Sequence, residues 1–130
     1  MKKRVLVGMT ALLLSLSLLM AQEIPAGVIT AFKRGSSQEL SKYMGDKVNL
    51  VLQGRSTNVD KQKATAAMQE FFTKNKVSGF NVNHQGKRDE SSFVIGTLAT
   101  TQGSFRVNCF LKKVQDKCLI HQIRIDKINE

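Results

Sequence analysis

The sequence has 130 residues and a formal net charge of +10, and this length predicts one domain with a modest core. Its basic residues are scattered over turns and polar helix faces, with no RNA- or DNA-binding motif and no aromatic platform for bases. We therefore expect no nucleic acid partner. Attraction to an anionic surface or polymer stays open.

The first 21 residues have the pattern of a secretory signal peptide. A basic head over 2–4 precedes an apolar run over 5–20, and the small residue Ala21 follows. The run is diluted by Ser and Gly and falls short of the about 20 apolar residues that span a bilayer, although a retained anchor is the alternative. We predict a signal peptide over 1–21, a single domain over 22–130, a periplasmic or secreted location, and no membrane partner after cleavage.

Two short helices are predicted next. Pro25 suits the first turn of a helix, and Gly35 suits its left-handed end. Residues 36–39 read S-S-Q-E, so that Ser36 and Glu39 form a capping box for a second helix. We expect Gly45 to close that helix.

A strand and a long helix follow. Apolar residues alternate over 47–53, which is typical of a strand with one buried face, and 56–58 are predicted as a loop. Asp60 is placed to cap a helix that runs to about Asn75. Its predicted buried side consists of Ala64, Met68, Phe71 and Phe72.

The stretch from Phe80 to Ile128 predicts four antiparallel strands in a meander joined by polar turns. Alternation places one set of residues on the apolar face that packs on the helices and another set on the second face. The apolar-face set includes His84, Cys109 and His121. The second-face set is Val94, Leu98, Phe110 and Ile120.

Two cysteines in an exported protein are candidates for a disulfide. If Val114-Gln115-Asp116 forms a three-residue turn, Cys109 and Cys118 fall on opposite faces of the last hairpin, too far apart for a disulfide. We predict that they remain unbridged, unless a bulge near Cys118 changes the parity.

The order of elements resembles the nuclear transport factor 2-like superfamily, which includes ketosteroid isomerase and SnoaL-type proteins. More narrowly, the chain resembles a family of small exported Bacteroidetes proteins of unknown function. The resemblance is carried by residues 60–72, by F-N-V-N-H-Q-G at 80–86, by F-V-I-G-T-L at 93–98, by G-S-F-R-V at 103–107 and by I-H-Q-I-R-I at 120–125. It implies an α+β fold in which a curved sheet covers the helices and leaves a cone-shaped pocket, and it implies little about activity.

The leading functional hypothesis is a non-catalytic module that binds a small apolar or amphipathic ligand. The candidate pocket residues are Tyr43, His84, Cys109 and His121. A pocket enzyme of the isomerase or hydrolase type is the alternative, with the two histidines as bases or with Cys109 and His121 as a nucleophile–base pair. No pocket carboxylate or catalytic motif is found, two histidines alone make a weak zinc site, and we expect no cofactor or metal.

A third hypothesis is a structural protein that forms a homodimer through its sheet. The second face would carry Val94, Leu98, Phe110 and Ile120, which is unusually apolar for an exposed face. Apolar patches of this kind usually mark interfaces. The dimer and the ligand pocket concern opposite faces of the sheet, so the two hypotheses are compatible.

Overall fold

The computed structural model describes residues 24–128, so the predicted signal peptide lies outside the described residues. Within them the chain forms three helices and six strands. In chain order these are α1 (Ala26–Arg34), α2 (Ser37–Ser41), β1 (Met44–Leu52), β2 (Arg55–Asp60), α3 (Lys61–Lys74), β3 (Val77–Arg88), β4 (Ser91–Thr100), β5 (Gly103–Val114) and β6 (Lys117–Lys127). The predicted α+β class is confirmed, whereas the predicted total of five strands is wrong.

The helix ends follow local signals in the sequence. Gly35 ends α1 with φ 62° and ψ 41°, the left-handed conformation that glycine tolerates best. The backbone N–H of Glu39 donates to the Ser36 hydroxyl oxygen at 3.2 Å, which caps α2. The prediction that Gly45 closes α2 is wrong, because α2 ends at Ser41 and Gly45 lies inside β1.

The segment predicted as a loop at 56–58 is part of strand β2. Gln53 and Gly54 both have positive φ, 51° and 85°, which is the geometry of a two-residue hairpin turn. The turn folds β2 back on β1, and Leu52 opposes Arg55. Because β2 is an edge strand with polar, exposed residues, it lacks the apolar alternation that identifies a half-buried strand.

The six strands form one sheet in the order β2-β1-β6-β5-β4-β3. Strands β3 to β6 are the predicted antiparallel meander. The pair β1 and β6 is parallel, which requires a long crossover. The crossover contains β2, α3 and the first three strands of the meander. As a result β2 and β3 form the two edges of the sheet.

One continuous core lies between the helices and one face of the sheet, which we call the inner face. Helix α1 packs against β3, while α3 packs against β1 and β2. The rings of Phe32 and Phe80 lie 5.1 Å apart, and those of Phe71 and Phe105 lie 5.2 Å apart. The helices therefore cover both ends of the strand order. We call the opposite face of the sheet the outer face.

Two-residue turns decide which residues of β4 face the core. The β4–β5 turn at 101–102 places Leu98 opposite Phe105 and Val94 opposite Cys109. Opposed residues share a face, so the even-numbered residues of β4 join the odd-numbered residues of β5 on the inner face. Val94 and Leu98, predicted for the outer dimer face, are both fully buried in the core.

A bulge in β3 reverses its alternation. Val82 opposes Gly96 on the inner face, whereas His84 opposes Ile95 on the outer face. Asn83 is the extra residue between these pairs, and such an extra residue shifts the side-chain alternation by one position. The prediction that His84 lies on the apolar face is wrong for this reason, and His84 is exposed.

A second bulge does the same in β6. Ile120 opposes Leu111, whereas Gln122 opposes Phe110, so His121 is the extra residue. Ile120 is buried in the core rather than placed on the outer face, and His121 is exposed rather than placed on the apolar face. Of the four predicted dimer-face residues, Phe110 alone lies on the outer face.

None of the helices among residues 24–128 is long and apolar enough to cross a membrane.

Candidate functional site

The two histidines end up on the outer face, away from the helices. The imidazole of His84 lies 5.3 Å from the ring of Phe93, and that of His121 lies 6.5 Å from the ring of Phe110, centroid to centroid. Phe93 and Phe110 are direct neighbours across β4 and β5. The rings therefore form a line across four strands, which we call the outer aromatic strip: His84, Phe93, Phe110 and His121.

Two local features shape the outer aromatic strip. The Phe93 ring lies over Gly86, where an added Cβ would stand 2.9 Å from two ring carbons. An aromatic ring that covers a cross-strand glycine is a known device for stabilising paired strands. Partial burial of the imidazole, and to a lesser extent the nearby Lys112 ammonium, lower the pKa of His121 below its usual value.

The predicted pocket residues Cys109 and Tyr43 both contact the core, Cys109 from the inner face of the sheet and Tyr43 from the segment between α2 and β1. Cys109 is fully buried, and burial raises the pKa of its thiol far above the usual value. A thiol that stays protonated is a poor nucleophile, and the sheet separates it from His121, so the predicted nucleophile–base pair is not assembled. The phenol of Tyr43 packs on Gly27 of α1, where an added Cβ would overlap it.

Cys109 and Cys118 are not joined by a disulfide in the structure, but the reason predicted from the sequence is wrong. The β5–β6 turn has two residues rather than three, so Cys118 opposes Lys113 and packs against the core from the inner face. Cys109 lies four residues along β5 from Lys113. Four residues of strand measure about 13 Å, beyond the reach of a disulfide.

A cleft with a volume of about 450 Å³ lies between α3 and the β1–β2 hairpin. Ala67, Glu70, Phe71 and Lys74 recur at three- and four-residue spacing, so they share one face of α3. The hairpin supplies the opposite wall. The full lining is Leu52, Gln53, Arg55, Ala67, Glu70, Phe71, Lys74 and Asn75.

Backbone contacts hold both walls of this cleft in place. The N–H of Gln53 donates to the carbonyl of Ile125 at 2.8 Å, which ties the hairpin turn to β6. At the end of α3, the side-chain amide and the backbone N–H of Asn75 both donate to the carbonyl of Phe71 at 2.9 Å. Because both ends are fixed by hydrogen bonds, the cleft is part of the folded domain rather than a gap between loose segments.

The cleft has an apolar wall and a charged rim. Leu52, Ala67 and Phe71 supply the apolar surface, and Phe71 is held edge-on against Phe105. At the rim, the Lys74 ammonium lies 3.0 Å from the Glu70 carboxylate. Arg55 carries the remaining formal charge, so the rim bears a net positive charge.

The sequence patterns do not reveal this cleft because they do not reveal β2. The available signal was the Gln53-Gly54 pair followed by R-S-T-N-V, in which Val59 has the parity to oppose buried Val48. The predicted pocket residues do not meet anywhere in the described chain, and none lines the α3–hairpin cleft. A smaller cleft, of about 270 Å³, is lined by Arg106, Asp126, Lys127 and Ile128. Residues 24–128 contain no cluster of three or more His, Cys, Asp or Glu side chains that could hold a metal ion.

A six-stranded sheet with helices packed on one face defines a class of protein. The chain shares its fold with a solved structure described as "Rd1NTF2_04 with long sheet", at a TM-score of 0.63 and 12% identity over 81% of this chain and 98% of that one. The fold is thus nuclear transport factor 2-like, as the sequence resemblance predicted. Residues 25–126 match the family described as "Domain of unknown function (DUF4783)", and the chain belongs to that family.

Solved structures of the same family are closely similar. A DUF4783 family protein from Bacteroides ovatus is 94% identical over 85% of this chain and all of that one, with a TM-score of 0.83. One from Bacteroides fragilis is 63% identical over 82% of this chain and all of that one, with a TM-score of 0.80. A search of curated proteins finds no match.

Proposed function

We propose that this protein is an exported binding module without catalytic activity, and that it holds a small amphipathic ligand in the α3–hairpin cleft. The cleft carries the proposal, since its volume of about 450 Å³ is in the range of small-molecule sites. An apolar wall with a few polar groups at the rim is the usual composition of such sites. Export rests on the signal-peptide pattern over 1–21.

The charges at the rim favour a ligand with an acidic head group. Lys74 is bridged to Glu70, whereas Arg55 takes part in no ion pair among the described residues. A guanidinium binds a carboxylate or phosphate through two parallel hydrogen bonds. The apolar part of the ligand would lie on Leu52, Ala67 and Phe71, with its anionic group at Arg55.

Binding fits the cleft better than catalysis does. The lining contains no His or Cys, and its one carboxylate, Glu70, is engaged by Lys74. The enzyme alternative relied on His84 and His121, which lie on the outer face among the rings of the outer aromatic strip. A general base must come within hydrogen-bonding reach of a bound substrate, and neither histidine lines either cleft.

Native mass spectrometry of protein purified from its own cell envelope tests the proposal. We expect a population that carries an extra small-molecule mass. Ala67→Trp should reduce this population at least about tenfold, because an indole would fill the cleft at its apolar wall. The matched control is Ala66→Trp, since Ala66 is exposed on the same helix and does not line the cleft.

Two results would contradict ligand binding in the cleft. One is a bare protein mass for the wild type. The other is equal loss of the extra mass in both Trp variants, because that would point to a general effect on the helix. Arg55→Gln separates the head-group hypothesis from the cleft itself: it should weaken an acidic ligand and leave a neutral one in place.

The outer aromatic strip favours a second function, a homodimer formed by two sheets packed face to face. Phe93, Ile95 and Phe110 form an apolar centre on the outer face and are only half buried in the monomer. Aromatic side chains are enriched at protein interfaces. The strip also lies on the opposite face from the core, so a dimer would leave the α3–hairpin cleft open.

Gel filtration with light scattering tests the dimer. We expect Phe110→Lys to convert a dimer into a monomer, because a charged side chain would be buried at the centre of the contact. Asn108→Lys is a neighbouring outer-face change that tests whether any added charge has this effect. A wild type that is monomeric at high concentration would disprove the dimer.

A further inference from the structure

The tips of two hairpins lie side by side at one end of the sheet. The β3–β4 hairpin turns at 89–90 and the β5–β6 hairpin turns at 115–116. The backbone N–H of Lys113 donates to the carbonyl of Glu90 at 2.8 Å, which links the two hairpins. The side chains around both turns therefore form one continuous region of the surface.

The register decides which of these side chains face outward. Lys112 opposes Leu119, and Val114 opposes Lys117. Lys112 lies on the same face as Phe110, two residues earlier. It also opposes Ser91 of β4, which in turn opposes Arg88 on the edge strand β3. The outward set, which we call the hairpin-tip surface, is Arg88, Lys112, Val114, Lys117 and Leu119.

The hairpin-tip surface combines exposed apolar atoms with a net positive charge, because the five cations at this end of the sheet outnumber its three carboxylates; the cations are Lys87, Arg88, Lys112, Lys113 and Lys117. None of its three cations takes part in the ion pairs of the described residues. The carboxylates at this end, Asp89, Glu90 and Asp116, belong to the turns themselves. Val114 is 49% exposed, and no other large apolar side chain in residues 24–128 is exposed to that degree.

The Lys112 ammonium also acts on a neighbouring histidine. His121, next to this surface on the same face, has its pKa lowered by burial and by the Lys112 ammonium. A neighbouring positive charge acts in this direction because it disfavours a second one. Lys112 lies on the same face as Phe110 and two residues from it, so its charge stands beside the outer aromatic strip.

In place of the sequence-based expectation of no membrane partner, the geometry points to the hairpin-tip surface as a docking site for an anionic lipid bilayer, independent of the α3–hairpin cleft. Lys and Arg beside an anionic membrane attract it strongly, while apolar side chains between them enter the head-group layer. Four of the five residues of this surface lie on β5 and β6, which are interior strands without a free edge for an extended peptide. The cations spread over β3, β5 and β6, a width of about 14 Å, which suits a flat partner rather than a narrow one.

The absence of Trp from the sequence permits a clean test. Val114→Trp places a single fluorescent reporter in the hairpin-tip surface, and Ala66→Trp places one on exposed α3. The probes are vesicles of phosphatidylglycerol with phosphatidylcholine and vesicles of phosphatidylcholine alone. At low salt we expect a blue shift of the reporter at position 114 with the anionic vesicles alone, and little change of the reporter at position 66.

Charge removal measures the contribution of the cations. In the Val114→Trp background, the double change Lys112→Gln and Lys117→Gln should weaken vesicle binding about 25-fold. Each cation near the membrane contributes a factor of about five to the affinity, and two are removed. The control pair, Lys61→Gln with Lys63→Gln on α3, removes the same net charge and should change binding less than about twofold. Raising the salt concentration should weaken wild-type binding, because the charges are exposed.

Other results would overturn the proposal. Equal binding to neutral vesicles, or equal weakening by the control pair, would show that the hairpin-tip surface is not the docking site. Equally tight binding to soluble poly-glutamate without a blue shift would assign the surface to an acidic polymer. A dimer in gel filtration that excludes vesicles would assign it to a second copy of the chain.

Discussion

At the scale of single residues, Gly96 is a position that the fold requires to be glycine. A Cβ added there would lie 2.5 Å from the Phe80 ring and 2.7 Å from the carbonyl oxygen of Asn81. The Phe80 ring has little room to move away from an added Cβ, because it packs against Phe32 in the core. We expect Gly96→Ala to lower the free energy of unfolding by about 2 kcal/mol, the usual cost of overfilling a packed site.

Gly79 is the matched control for this prediction. It lies in the same hairpin, its φ is not positive, and a Cβ added there would meet no atom within 4 Å. Gly79→Ala should therefore leave stability unchanged or raise it by up to about 1 kcal/mol, because alanine restricts the unfolded chain. Urea denaturation of both variants measures the difference, and equal effects would contradict the role assigned to Phe80.

Local signals of this kind are the part of the structure that the sequence predicts best. The caps at Ser36 and Asp60 and the left-handed Gly35 depend on residues within one turn of each other. The buried side of α3 also follows from helical spacing alone, and all four predicted residues are buried. Predictions fail where the answer depends on a second strand.

At the scale of elements, Asp60 sets the start of helix α3. Its carboxylate accepts a hydrogen bond from the backbone N–H of Lys63 at 2.8 Å. We expect Asp60→Ala to cost about 1 kcal/mol of stability, because an N–H of the first turn loses its acceptor. Asp60→Asn keeps an acceptor and should cost much less. Thermal and urea unfolding measure both variants, and equal losses would mean that the charge rather than the cap is important.

The two bulges explain why sequence alternation predicts the candidate site in the wrong place. The prediction requires side chains to alternate between the two faces without interruption along β3 and β6. Asn83 in β3 and His121 in β6 are extra residues that interrupt this alternation. A shift of one residue moves every later side chain to the other face. His84 and His121 consequently lie outside the predicted pocket, and Ile120 lies in the core instead of the predicted dimer face.

Strand β2 is not predicted from the sequence for a different reason. Its residues are mostly exposed and polar, since it lies at the edge of the sheet with little core to cover. Such a strand is stabilised by backbone pairing with β1 rather than by burial, and backbone pairing leaves no pattern in side-chain type. The α3–hairpin cleft depends on this pairing, so the cleft could not be derived from alternation.

At the scale of the whole molecule, the pairing of β1 with β6 decides the architecture, because the two strands are neighbours in the sheet but not in the sequence. Strand β1 pairs in parallel with β6, although almost the whole domain separates them in sequence. Ile120 donates its N–H to the carbonyl of Tyr43, and Gln53 donates to the carbonyl of Ile125. These bonds close the domain around one core, and no local signal in either strand predicts them.

The predicted signal peptide decides how the whole chain is processed. Ile24 is buried in the core, and α1 begins at Ala26, so both lie after the predicted cleavage site at Ala21. Cleavage there would keep every described core residue. We expect protein from its native cell envelope to begin at Gln22, as measured by intact mass and by its N-terminal peptide.

A charge-reversed leader provides the control for export. Lys2→Glu combined with Lys3→Glu and Arg4→Glu removes the basic head that a signal peptide requires. The variant should accumulate unprocessed in the cytoplasm, while its folded domain keeps the same core residues. A wild-type chain that retains residues 1–21 in the envelope fraction would support the anchor alternative instead, since an uncleaved apolar run would hold the domain at the membrane.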